Sequence, residues 1–128
     1  MLPVIRSLDH LVLTVSDIEA TCRFYETVLG MKRVSFGNGR VALSFGDQKI
    51  NLHDADKDAS PKAKNPTPGS GDLCFLVDTP LDELRAHLAA NDVEIEMGPV
   101  ERNGATGKIL SVYFRDPDGN LIEVSNKL

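Results

Sequence analysis

Tyr113-Phe114-Arg115-Asp116-Pro117-Asp118-Gly119-Asn120-Leu121-Ile122-Glu123-Val124 reads as a β-hairpin. Residues 109–114 are rich in β-branched and aromatic side chains, the five residues from Asp116 carry turn chemistry, and residues 121–125 alternate again. Pro117 presets φ at the first turn position, and Gly119 and Asn120 tolerate left-handed backbone, so the turn fixes the register of the two strands. Side chains alternate along a strand. Ile122 and Val124 therefore take one face, and Leu121, Glu123 and Ser125 the other. Glu123 is a carboxylate opposite the aliphatic face, an ordinary solvated residue unless the chain supplies it with partners.

The same organisation occurs twice. Residues 8–15 and 71–77 both read as strands, and each runs at once into a helix start. Ser16 with Glu19 forms a capping box, and Thr79-Pro80 with Asp82 forms an N-cap with proline in the first turn. Ile18, Thr21, Tyr25, Val28 and Leu29 make one helical stripe and Leu81, Leu84 and Leu88 the other, with Gly30 and Asn91 as stop signals. Short strands follow at 32–36, 41–45 and 49–53 in the first half and at 94–97, 109–114 and 121–125 in the second. The expected fold is α+β: two βαβββ repeats whose strands form a curved mixed-sheet cup. It is a single domain over 1–128, with repeat one at about 6–53, a linker at 54–70 and repeat two at about 71–126.

Laying one repeat on the other puts His10 opposite Asp72 and, with one extra turn residue, His53 opposite Glu123. All four lie on strand faces opposite the aliphatic residues that belong under the helices. Two imidazoles and two carboxylates around a common cavity suit one divalent transition metal, such as Ni, Zn, Mn, Fe or Co. Two neutral imidazoles and two carboxylates would balance the charge of such an ion.

On these residues the chain resembles the vicinal oxygen chelate superfamily of glyoxalases, bleomycin-resistance proteins, fosfomycin-resistance enzymes and extradiol dioxygenases. The resemblance runs from Leu8-Asp9-His10 through Phe24-Tyr25, Leu29-Gly30 and Phe45-Gly46-Asp47 to Asn51-Leu52-His53, and ends in Tyr113 to Glu123. Within it the chain is most similar to the group of glyoxalase domain-containing protein 5. The resemblance implies that His10, His53 and Glu123 are metal positions, with Asp72 where the pattern often has histidine. It also implies that Ser111 and Tyr113 line the cup and that the chain pairs as a homodimer, with the two halves of a site drawn from one chain or from both. The reaction it implies is glyoxalase-type lyase or isomerase chemistry on a small oxygen-chelating substrate, with a ligand carboxylate, Glu123 or Asp72, moving a proton beside a carbonyl and Tyr113 close to the substrate. Other members imply Fe(II) extradiol-type oxygenation, fosfomycin-type thiol or water addition to an epoxide, or small-molecule binding of the bleomycin-resistance kind. The extradiol signature also expects a histidine several residues before Val112, and none is present there.

Composition narrows the partners. The chain has 128 residues, 41% hydrophobic and 26% charged, which places it among ordinary globular proteins with a core of their own. A net charge of −5 argues against nucleic acid and anionic membranes as partners. The N-terminal residues lack the charged start and apolar run of a signal peptide, and Cys22 and Cys74 read as free thiols, so the expected location is the cytoplasm. The segment 98–108 reads as a glycine-rich loop in which Arg102, a substrate-binding candidate, and Lys108 offer charge for an anionic group. Cys74 shares the face of Asp72.

Overall fold

Strand β1 (His10–Val15) and helix α1 (Ile18–Leu29) open the first of two units in a computed structural model that describes residues 1–128. Strands β2 (Lys32–Phe36), β3 (Arg40–Phe45) and β4 (Gln48–Asp54) complete that unit as a sheet of order β1-β4-β3-β2. The second unit repeats the plan. It consists of β5 (Asp72–Leu76), α2 (Leu81–Ala90), β6 (Met97–Gly104), β7 (Gly107–Arg115) and β8 (Leu121–Lys127), with sheet order β5-β8-β7-β6. In each unit the first strand pairs parallel with the last, and the other neighbours are antiparallel. This is the duplicated βαβββ pattern of the sequence.

Alternation sorts the two faces of each sheet. In the first unit Leu13, Val15, Leu43, Ile50 and Leu52 are buried, while His10 is exposed and Thr14 half-buried. In the second, Val112, Phe114, Ile122 and Val124 are fully buried on the face opposite Glu123. Burying a side chain of this size contributes about 1.5–3 kcal/mol, so these rows drive the folding of the repeats.

The helix ends differ from the sequence reading. Asp17, not Ser16, caps α1: its backbone is extended, its carboxylate accepts from Ala20 N at 3.0 Å, and its carbonyl takes the first helical bond, from Thr21 N. Ser16 stands one residue too early for that geometry. At α2 the capping residue is Pro80, which has no side-chain acceptor. Asn126 of β8 replaces it, its Oδ1 accepting from Leu81 N at 2.9 Å while its Nδ2 donates to the carbonyls of Val77 and Thr79. Asn126→Ala is therefore expected to cost about 2 kcal/mol, a lost cap plus unpaired carbonyls, measurable as a lower midpoint in urea denaturation with an unchanged slope.

The segment 98–108 is not a loop. β6 begins where the short strand 94–97 was expected to end, and it pairs with β7 through Gly104 and Gly107 around a tight turn. The glycine and proline that suggested a loop mark a bulge between Met97 and Val100. Gly98 sits there at φ 108°, and a Cβ on it would collide with the Ser111 carbonyl oxygen. No helix is long and apolar enough to cross a membrane.

Candidate functional site

Glu123 lies at the middle of the second sheet. Its ladder partners are Cys74 on β5 and Tyr113 on β7. Registered neighbours in a sheet point to the same side, so Cys74, Glu123, Tyr113 and Ser111 share one face. The Ser111 hydroxyl donates to Glu123 Oε2 at 2.6 Å and also bonds the Ser125 hydroxyl at 2.6 Å. Ser111 and Ser125 are completely buried. Ser111, expected among the substrate-binding residues, is thus placed beneath Glu123, where it orients the carboxylate.

A cavity of about 680 Å³ opens on this face, lined by Cys74, Arg102, Tyr113, Glu123 and Lys127 among others. The Arg102 Nε donates to the Tyr113 hydroxyl at 3.0 Å and a terminal nitrogen reaches Met97 Sδ at 3.3 Å. Both acceptors are uncharged, so the guanidinium keeps its charge for an anionic group. Lys108 faces Glu101 at 4.0 Å instead. The second cation of the cavity is Lys127, which lies opposite Ile109 across the ladder and which the sequence reading missed. The exposed Cys74 thiol is 3.5 Å from the Ser125 hydroxyl, and partial burial pushes its pKa up. Asp72 is the exposed first residue of β5, two residues before Cys74, and is not among the lining residues.

In the first unit His10 holds the matching place at the start of β1. Its Nδ1 lies 2.8 Å from Asp9 Oδ1, and this contact holds the Asp9 carboxyl below the ordinary carboxylate value. An ionised carboxylate only accepts, so Nδ1 carries the proton of this contact and Nε2 is the ring nitrogen that Asp9 leaves free. A cavity of about 700 Å³ is lined by His10, Val12, Arg40, Asn51 and His53, together with Lys57 to Pro61 from the segment read as a linker.

The ladders compare the two repeats directly. Asp72 leads β5 and Cys74 pairs with Glu123, while His10 leads β1 and Val12 pairs with Asn51. Asn51 therefore occupies in repeat one the register position of Glu123 in repeat two. His53, which the sequence superposition had set opposite Glu123, pairs with Thr14 and falls two residues further along. His10 and His53 are consequently four residues apart along the strands, about 13 Å. Within neither unit do three His, Cys, Asp or Glu side chains converge. Each unit carries two of the predicted donors, His10 and His53 in the first and Asp72 and Glu123 in the second.

Comparison with known proteins agrees with this duplicated architecture. A sequence model of the Glyoxalase/Bleomycin resistance protein/Dioxygenase superfamily matches residues 7–124. The chain is 57% identical over 122 residues to virulence protein STM3117 of Salmonella typhimurium, covering 95% of this chain and 85% of that one. The solved structure of an integron cassette protein from V. cholerae superposes with a TM-score of 0.97 at 60% identity, covering 98% of each chain. A lactoylglutathione lyase from Agrobacterium tumefaciens superposes with a TM-score of 0.73 at 28% identity, covering 96% of this chain and 95% of that one. The chain belongs to the glyoxalase/bleomycin resistance protein/dioxygenase superfamily, the vicinal oxygen chelate proteins.

Proposed function

We propose that this chain is a metal-dependent enzyme of the glyoxalase type, a lyase or isomerase acting on a small substrate with adjacent oxygens. The observation that carries the reading is Glu123: a carboxylate in the wall of a cavity, oriented from below by a buried serine and flanked by Tyr113 and an uncompensated Arg102. The structural likeness to a lactoylglutathione lyase supports the same class.

In this reading His10, Asp72 and Glu123 are donors to one divalent cation, drawn from one chain or from both chains of a dimer, and His53 serves the substrate cavity of repeat one. The donor chemistry fits such an ion. His10 presents Nε2 because Asp9 takes Nδ1, and the Ser111 bond leaves the second oxygen of Glu123 available. A bound divalent ion supplies Lewis acidity at the substrate oxygens. The side chains do the rest. Arg102, held across the Tyr113 hydroxyl, fixes an anionic group of the substrate, which sets the distance from the reacting carbon to Glu123. Glu123 removes a proton from the carbon next to a carbonyl, holds it as the carboxylic acid and returns it to the neighbouring carbon, while the Ser111 hydroxyl bonded to Oε2 keeps the carboxyl group in place through both transfers.

The chain acts as a twofold dimer in the cytoplasm in this reading. Leu2, Val4, Ile5 and Leu8 are exposed at 88, 95, 87 and 65%, an apolar arm suited to cover by a second copy, and both cysteines are free thiols.

Elemental analysis of the purified protein beside His10→Ala tests the reading. About one transition metal ion per site is expected, lost in the variant. No metal after incubation with Mn²⁺, Ni²⁺, Fe²⁺ and Zn²⁺ would overturn it and leave a binding protein. Asp9→Asn should weaken the affinity about tenfold, because the amide no longer fixes the imidazole tautomer. Equilibrium titration with Zn²⁺ measures that change, and an unaltered affinity would remove Asp9 from the site.

A further inference from the structure

Asn51 is the one residue of the chain with a buried side-chain oxygen left without a hydrogen-bond partner: the atom is its Oδ1, and the residue is only 3% exposed. Its position makes this costly. It sits in the middle of β4 between the buried Ile50 and Leu52, and its ladder neighbours are Val12 on one side and Ala42 on the other. Neither has a donor to give. A leucine or valine would pack there without the penalty of a buried unpaired carbonyl. The side chain nonetheless points to the polar face, with His10 and His53, and lines the cavity of about 700 Å³ in the first unit.

We infer that Asn51 is a specificity-determining residue of that cavity, whose side-chain carbonyl accepts a hydrogen bond from a hydroxyl group of the ligand. The inference goes beyond the cation reading and does not depend on it. The cavity selects compounds that bring a hydroxyl donor to the centre of β4 and discriminates against analogues in which that hydroxyl is capped. Discrimination of this kind is large, because a ligand lacking the donor leaves the buried carbonyl as unsatisfied as it was before binding. Asn51 is also the residue that the register comparison sets against Glu123, so the two repeats carry an unlike pair at like positions: a neutral acceptor in one, a carboxylate in the other.

Catechol, guaiacol and veratrole present the same ring and oxygens with two, one and no hydroxyl donors. Each is titrated in EDTA against ¹⁵N-labelled full-length protein and its Asn51→Leu variant, following the Asn51 side-chain amide in the wild type. Catechol is expected to shift that amide and to bind at least about tenfold more tightly than veratrole, with guaiacol between, whereas Asn51→Leu binds all three within about twofold. The same variant is expected to melt about 3 °C or more above the wild type, since it removes an unpaired buried oxygen. Equal affinities of catechol and veratrole for the wild type would overturn the inference, as would a variant that keeps the preference. A lowered melting temperature would overturn it too, by making Asn51 a structural residue. In a parallel titration with Zn²⁺ alone, wild type and Asn51→Leu are expected to bind equally. A loss in the variant would make Oδ1 a cation donor and overturn the assignment.

Discussion

Glu123→Gln is expected to weaken the binding of a divalent cation by more than about 100-fold while shifting the melting temperature by less than about 2 °C. The lower bound follows from the behaviour of outer partners, whose removal costs about 10–100-fold, so that a direct charged donor should exceed it. The fold should survive because the amide keeps what the structure asks of this side chain. Its carbonyl oxygen still accepts from the Ser111 hydroxyl, and the buried core lies on the opposite face, with Val112, Phe114, Ile122 and Val124. Turnover should fall with the metal, since the same carboxylate moves the proton in the proposed reaction. Isothermal titration with Mn²⁺ and a thermal melt of the same sample separate the two effects. A variant that unfolds while retaining its metal would refute the assignment of Glu123 to the site and make it a structural residue.

Asp116→Ala is expected to lose about 3 kcal/mol or more, a fall of roughly 10–15 °C in melting temperature. Asp116 is buried and organises the turn between β7 and β8. Its Oδ1 accepts from the backbone N–H of Asp118 and Asn120 at 3.0 and 2.9 Å, and its Oδ2 accepts from Asn120 Nδ2 at 2.8 Å. Removal strands three donors at once, each costing about 1–3 kcal/mol when buried, partly recovered where the opened turn admits water. The damage reaches the candidate site. Asn120 Oδ1 accepts from Gly71 N at 2.7 Å, which anchors the start of β5 beside Asp72, and Leu121 N donates to Gly71 O at 3.0 Å. Asp116→Ala should therefore lower metal affinity as well as stability, whereas Asp116→Asn, which keeps one carbonyl acceptor, should lose less of both. Equal losses in the two variants, read by chemical denaturation and Zn²⁺ titration, would show that the turn does not depend on the second carboxylate oxygen.

Much of this follows from pattern alone. The period-two alternation of residues 109–115 and 121–125 fixes which side chains share a face with Glu123. The matching strand and helix signals at 8–30 and 71–91 establish the duplication, because alternation and capping are local properties that any short window reveals. The turn from Asp116 to Asn120 needs only its own residues to be read, and it is observed as a tight, internally bonded turn.

Tertiary structure decided what depends on register between strands that are distant in sequence. That His53 pairs with Thr14, and Asn51 takes the position matching Glu123, follows from the lengths of the turns joining β2, β3 and β4, which a superposition of repeats does not count. The strand β6 was hidden for a related reason: Gly98 and Pro99 are loop signals locally, yet the approach of the β7 backbone at Ser111 turns them into a bulge. The roles of Ser111 under Glu123, of Lys127 in the cavity and of Asn126 as the cap of α2 rest on neighbours distant in the chain, 12 residues apart for Ser111 and Glu123 and 45 to 49 for the partners of Asn126. Sequence periodicity assigns a side chain to a face; only the packed sheet determines which neighbour it meets there, because hydrogen bonds and cavities form between strands and not along them.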